Sequence, residues 1–189
     1  MPDMIRDGTG RGYKAQVNSD NQLVTRSVNV SSIQFESEMK EKAFFAYGKR
    51  NFVAASANEN IFYLSYTGDG KLHVEQMTFS TNSTAAKIEL YFDATSVSGG
   101  ESYTALNVNR ASGQTSETTI LHGGADLTGT VDDANEFLDI RLNSTGTSTF
   151  TYDFRGGIIL TKNQNLLVLG EVSTIADKIR TMIFFFEEL

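Results

Sequence analysis

The sequence predicts an all-β fold: an antiparallel β-sandwich, jelly-roll-like, with an extended N-terminal arm. Three observations support this prediction. Strand periodicity recurs along most of the chain, helix signals are scarce, and clusters of Gly, Asn, Ser and Thr separate the apolar runs. Short strands bounded by such polar turns are typical of antiparallel sandwiches and barrels. We place the arm at residues 1–21 and the sandwich domain at residues 22–189.

The clearest strand lies at residues 86–93, where apolar and polar side chains alternate with the period of a half-buried strand. Residues 137–142 repeat this pattern. Phe150, Tyr152 and Phe154 recur at every second position and predict a third strand. Each of these segments is expected to present one face to a core.

A hairpin and a helix are the two local alternatives that bear on the strand order. Residues 61–67 and 71–79 flank Asp69–Gly70, a pair that favours the tight turn of a β-hairpin. Residues 36–47 contain good helix formers and have the length of three turns. Sequence alone leaves open whether this second segment is a short helix.

The C-terminal third is more apolar than the rest. Residues 157–161, 166–172 and 179–186 carry hydrophobic side chains on both faces, which indicates strands that are central in a sheet, covered on both sides, or part of a subunit interface. Asn163–Asn165 is a suitable turn between the first two.

The N-terminal segment has few apolar side chains that could be buried in a core. Three glycines, at positions 8, 10 and 12, fall within five residues, and strand periodicity begins only at residues 22–30. The glycines superficially resemble a phosphate-binding loop, but no strand precedes them and no helix follows. We therefore interpret them as turn residues of an arm that becomes ordered on a neighbouring subunit or partner.

Composition excludes several classes of function. With no cysteine, the chain has no disulfide, thiolate metal site or cysteine nucleophile. No apolar run approaches the ~20 residues of a membrane-spanning helix, and the start of the chain lacks the apolar core of a signal peptide. The net charge is −7, of which residues 1–50 contribute +2 and residues 51–189 contribute −9. Such an acidic body disfavours nucleic acid and anionic membranes as partners.

Chemical motifs are weak throughout the sequence. His73 and His122 stand in no catalytic or metal-binding motif and are interpreted as surface or interface residues. The acidic stretch at residues 131–136 lacks the residue order of a calcium loop, so a solvated turn is the preferred interpretation. Glu89 and Asp93 fall on the face of a strand that is expected to be exposed. We expect no catalytic residue, no cofactor and no metal.

Two segments carry a resemblance to a known family. Residues 4–18 read Met-Ile-Arg-Asp-Gly-Thr-Gly-Arg-Gly-Tyr-Lys-Ala-Gln-Val-Asn and are followed by Asp-Asn-Gln-Leu-Val at 20–24. They resemble the start of small virion proteins of tailed bacteriophages, and residues 87–110 resemble a middle segment of the same group. The resemblance implies a capsid decoration protein (also called a cement or head-stabilising protein). Such a protein has a β-sandwich or jelly-roll body that sits on the assembled head, often as a trimer.

The resemblance also implies a location and partners. We expect a structural protein, not an enzyme, that is made in the host cytoplasm and bound to the exterior of the capsid in the virion. Its expected partners are the major capsid protein and further copies of itself. The predicted capsid contacts in the arm are Arg6, Gly8, Gly10, Arg11, Gly12 and Tyr13. The predicted oligomer interface comprises Met182, Ile183, Phe184, Phe185 and Phe186.

Two alternative functions fit the same sequence features. A phage tail, baseplate or fibre component uses the same combination of an arm and a sandwich. A carbohydrate-binding β-sandwich module would stack sugars on exposed tyrosines, for which Tyr63, Tyr66, Tyr91 and Tyr103 are the candidates. The absence of tryptophan makes this second alternative the weaker one.

Overall fold

A computed structural model describes residues 41–123, 126–143 and 146–188. These residues form thirteen β-strands and a single-turn 3-10 helix at Asp133–Asn135. In chain order the strands are β1 (Ala43–Asn51), β2 (Glu59–Tyr66), β3 (Lys71–Thr81), β4 (Ala85–Phe92), β5 (Thr95–Ser98), β6 (Glu101–Ser102), β7 (Leu106–Asn107), β8 (Thr118–His122), β9 (Thr128–Thr130), β10 (Glu136–Asn143), β11 (Ser148–Leu160), β12 (Asn165–Val172) and β13 (Lys178–Glu188).

Two antiparallel sheets pack face to face. The first sheet has the strand order β11-β3-β13-β1-β7, and the second has the order β10-β4-β12-β2-β8-β6. The chain alternates between the sheets along β1, β2, β3 and β4, and does so again along β10, β11, β12 and β13. Two such sets of four strands, interleaved in two sheets, make a jelly roll. The predicted all-β sandwich of jelly-roll type is confirmed.

The core fills the space between the sheets with side chains from alternate positions. Ile88 and Leu90 of β4 enter it from the second sheet, and Ile183 and Phe185 of β13 enter it from the first; all four are fully buried. Phe44 lies opposite Phe185 on the neighbouring strand, with ring centroids 5.8 Å apart. Burying one side chain of this size stabilises the fold by about 1.5–3 kcal/mol. The strand periods seen in the sequence therefore mark the core correctly.

The helix considered at residues 36–47 does not form at its C-terminal end. Residues 43–47 belong to β1, which pairs with β13 along its whole length, from Ala43 opposite Phe186 to Asn51 opposite Lys178. Helix propensity is worth only tenths of a kcal/mol per residue. It is outweighed here because strand pairing buries Phe44 completely. Residues 36–40 lie outside the described residues.

The hairpin predicted around Asp69–Gly70 is wrong. β2 lies in the second sheet and β3 in the first, so this turn carries the chain across the sandwich. Positive φ angles at glycine occur at Gly99 and Gly100 and not at Gly70, so the turn is not of the tight hairpin type. The turn predicted at Asn163–Asn165 is confirmed: Asn163 has a φ of 68°, and the turn joins β11 to β12.

Two of the three apolar C-terminal segments are central strands, as predicted. β12 lies in the middle of the second sheet and β13 in the middle of the first. Residues 157–161 differ, because they largely belong to β11, the outermost strand of the first sheet among the described residues. Ile159 is accordingly 47% exposed.

The outer faces of the two sheets differ in what covers them. A two-stranded ribbon of β5 and β9 lies over the second sheet, where Val97 and Val131 pack against a buried cluster that includes Tyr91, Leu167 and Leu169. On the first sheet, no comparable second cluster forms among the described residues. The predicted arm at residues 1–21 and the predicted strand at residues 22–30 lie outside the described part of the chain.

Candidate interaction surface

The outer face of the first sheet carries a ladder of cross-strand pairs between β1 and β13. Phe45 faces Phe184, Tyr47 faces Met182, Lys49 faces Arg180, and Asn51 faces Lys178. Because side chains alternate along a strand, all eight point away from the core. The ladder therefore changes from apolar to cationic along one surface.

The apolar half of the ladder is partly open to solvent. Met182 is 46% exposed and Tyr47 is 37% exposed, while Phe45 and Phe184 are half-buried. These four residues, here called the apolar block, occupy the middle of a sheet and not its margin. Contiguous exposed apolar groups with a polar surround are characteristic of protein interaction sites.

The polar surround of the apolar block is formed by neighbouring strands. Gln76 and Thr78 of β3 lie opposite Phe184 and Met182, and the Thr78 hydroxyl is 3.0 Å from that of Thr151 on β11. An apolar centre with a polar rim is the usual anatomy of a protein–protein interface.

The cationic half of the ladder, here called the cationic end, comprises Lys49, Lys178 and Arg180. All three are half-buried. Within the described residues, none of them forms an ion pair with a carboxylate; the ion pairs found involve other cations. Like charges directly opposite on neighbouring strands are destabilising. Lys49 and Arg180 thus place like charges directly opposite each other, with no carboxylate of the described residues paired to either.

The residues predicted to form the oligomer interface divide between the two faces of β13. Ile183 and Phe185 are fully buried in the core of the sandwich, so only the remaining three stand on the outer face. Met182 and Phe184 belong to the apolar block. Phe186 is only 2% exposed, and its ring stacks on His73 with a centroid separation of 5.1 Å. The interface itself stays a prediction, now centred on Met182 and Phe184.

Sequence reasoning missed the β1 half of the apolar block. Phe45 and Tyr47 fall within the segment whose composition favours a helix. Their alternation with the buried Phe44 and Ala46 was the signal that could have identified them. The predicted arm contacts, from Arg6 to Tyr13, lie outside the described residues.

The two histidines are structural neighbours of acidic and aromatic groups. His73 is buried, not on the surface, and its Nε2 lies 3.0 Å from a carboxylate oxygen of Glu188. His122 lies in the second sheet, 3.8 Å from Glu101, with the ring of Tyr103 edge-on to it. Each histidine is therefore packed within its own sheet.

Glu89 also departs from its predicted exposure, being only 4% exposed. One of its oxygens accepts hydrogen bonds from Lys87 at 2.5 Å and from the Tyr91 hydroxyl at 3.3 Å, and the other accepts one from Asn58 at 2.9 Å. The bond to Glu89 raises the pKa of Lys87, while burial raises the pKa of the Tyr91 hydroxyl. Both carboxylate oxygens are thus engaged in holding the strand face together.

The acidic stretch at residues 131–136 forms a turn around the 3-10 helix. Asp132 caps this helix, its side chain accepting a hydrogen bond from the Ala134 N–H at 3.0 Å. Asp133 and Glu136 are exposed. No group of three or more potential metal ligands occurs among the described residues.

The tyrosines considered as sugar platforms are mostly unavailable. Tyr66 is fully buried and Tyr91 is 3% exposed. Tyr63 and Tyr103 are half-buried. Among the described tyrosines, the exposed rings are Tyr47 in the apolar block and Tyr152 on β11. A sugar-binding surface built on the four predicted tyrosines is therefore not supported.

Comparison with known proteins gives no further guide to function. The chain matches no protein-family model and no curated protein sequence. Over the described residues, no helix has the length and apolar character of a membrane span.

Proposed function

We propose that this protein decorates and stabilises a bacteriophage capsid, binding the outer surface of the major capsid shell as a homotrimer. The observation that carries the assembly part of the proposal is the apolar block, which places Met182 and Tyr47 on an outer sheet face. Partial exposure of large apolar side chains in the middle of a sheet is costly in a solitary subunit and is relieved in an oligomer.

The capsid part of the proposal is supported by the resemblance of residues 4–24 and 87–110 to phage virion proteins. In this proposal the arm lies on the shell through Arg6, Arg11 and Tyr13, while Gly8, Gly10 and Gly12 allow the backbone to approach closely. Several arms attached to one oligomer raise the overall affinity well above that of a single arm.

The proposed role is structural and involves no reaction, nucleic acid or membrane. A jelly roll supplies a rigid body for attachment. The acidic charge of residues 51–189, a balance of −9, suits a body that faces solvent on the capsid exterior.

The direct test removes residues 1–20 and measures binding to capsids that lack the protein. We expect the shortened protein to remain a folded oligomer with unchanged circular dichroism and to lose capsid binding by co-sedimentation. A matched control replaces the same residues with an unrelated glycine- and serine-rich sequence of equal length. Undiminished capsid binding by the shortened protein would contradict the proposed role of the arm.

A further inference from the structure

We propose that neighbouring subunits dock head to tail, with the cationic end and the apolar block of one copy against the acidic turn of the next. The acidic turn comprises residues 131–136, with the carboxylates of Asp132, Asp133 and Glu136. This inference rests on the proposed homo-oligomer and specifies the two surfaces that meet in it.

The positive charges of the cationic end are not paired with any carboxylate of the described residues. Lys49 and Arg180 face each other across β1 and β13, and Lys178 precedes Arg180 by two residues on the same face. No carboxylate of the described residues pairs with any of the three. An incoming carboxylate would convert the repulsive Lys49–Arg180 pair into an attractive cluster.

The acidic turn carries the complementary charge. Asp132, Asp133 and Glu136 are exposed, and none of them forms an ion pair with a described lysine or arginine. The helix cap at Asp132 and the 3.4 Å contact between Glu136 and the Tyr91 hydroxyl hold the turn in a fixed shape. A fixed acidic projection loses little conformational entropy when it docks.

The two surfaces lie on different parts of the subunit. The cationic end is on the outer face of the first sheet, whereas the acidic turn ends at Glu136, the first residue of β10, which is the outermost strand of the second sheet among the described residues. One copy can therefore use its cationic end for one neighbour and its acidic turn for another. Such a heterologous contact generates a closed ring when the rotation between subunits closes, and a three-fold ring agrees with the proposed trimer. A two-fold contact between cationic ends would instead oppose like charges.

Charge reversal in the full-length protein tests this contact. We expect K49E/R180E to raise the dissociation constant of the oligomer by about 100-fold, and D133K/E136K to do the same, because each leaves like charges facing one another. The four substitutions combined restore the opposite signs, so the dissociation constant should return to within about threefold to tenfold of the original value. Sedimentation equilibrium at low ionic strength measures each constant.

The control pair lies on β11, outside the ladder. Arg155 is 86% exposed and lies 3.6 Å from Asp153. R155E/D153K keeps the same two charge signs within the chain and should leave the dissociation constant unchanged. The melting temperature of each variant, measured at a protein concentration below the dissociation constant, distinguishes a folding defect from an assembly defect.

Three results would overturn the inference. In the first, both reversals leave a trimer intact, so the proposed homo-oligomer stands but these surfaces do not form it. In the second, the fourfold variant assembles no better than either double variant, so the two surfaces do not meet. In the third, the unaltered protein is monomeric; the homo-oligomer then fails as well, while capsid binding through the arm is judged separately by co-sedimentation.

Discussion

Adjacent residues on β13 provide a sharp test of which face belongs to the core and which to an interface. Ile183 is fully buried, whereas Met182 is 46% exposed on the outer face. Ile183→Ala removes buried methyl groups and leaves a cavity, which costs about 3 kcal/mol of unfolding free energy. At roughly 2–4 °C per kcal/mol for a chain of this size, the melting temperature should fall by about 6–12 °C. Met182→Ala should change the unfolding free energy of the monomer by less than about 0.5 kcal/mol.

The two substitutions should rank in the opposite order in their effect on the dissociation constant of the oligomer. Full burial of a methionine side chain is worth about 1.5–3 kcal/mol, and about half of Met182 remains to be buried by a partner. Met182→Ala is therefore expected to raise the dissociation constant of the oligomer by about tenfold. Urea unfolding at a protein concentration below that dissociation constant measures the stability of the monomer, and sedimentation equilibrium measures the dissociation constant itself. Equal destabilisation of the monomer by the two variants, or an unchanged dissociation constant for Met182→Ala, would refute the reasoning.

Three further predictions concern stability. A Cβ at Gly170 would lie 2.3 Å from the Ile61 side chain, so Gly170→Ala should lower the unfolding free energy measured in urea by about 1–3 kcal/mol. A Cβ at Gly113 would have no neighbour within 4 Å, so the control Gly113→Ala should leave the unfolding free energy unchanged. Equal effects of the two substitutions would contradict the packing around Gly170. Burial raises the pKa of Glu187, so the folded state binds its proton more tightly than the unfolded state does. Glu187 should therefore lower the stability as pH rises from its unfolded pKa through its folded pKa, by at most about 1.4 kcal/mol per pH unit. This contribution should be absent in Glu187→Gln, and a pH profile parallel to that of the unaltered protein would contradict it. Burial raises the pKa of Tyr66 to about 12, so stability should fall as pH rises from the unfolded value of about 10 towards 12. Tyr66→Phe should remove this fall in urea unfolding, and an unchanged alkaline profile in Tyr66→Phe would contradict the assignment.

The sequence predicted the layers of the fold better than the connections between them. Alternation at residues 86–93 and 137–142 marks buried positions because one face of each strand must meet the core. Asp69–Gly70 was misread because a turn motif specifies a change of direction and not the sheet that the next strand joins. The jelly-roll crossing is a long-range property that depends on pairing β3 with β11 and β13.

The candidate surface was only partly predictable for a related reason. The apolar character of Met182–Phe186 was visible, but which residues face outwards depends on the register of β13 against β1. Phe45 and Tyr47 were hidden by helix formers that precede them, since local propensity gives no information about a strand partner 130 or more residues away. Glu89 appeared exposed because nothing local to it predicts the contact with Asn58.

Electron microscopy of purified phage particles gives the most direct test of whether the protein decorates the capsid. With the protein labelled by a fused marker at its C-terminus, we expect external density with three-fold symmetry on the capsid head. That density should be absent from particles made without the protein. Density confined to the tail, baseplate or fibres, or the absence of the protein from intact particles, would contradict the assignment as a capsid decoration protein.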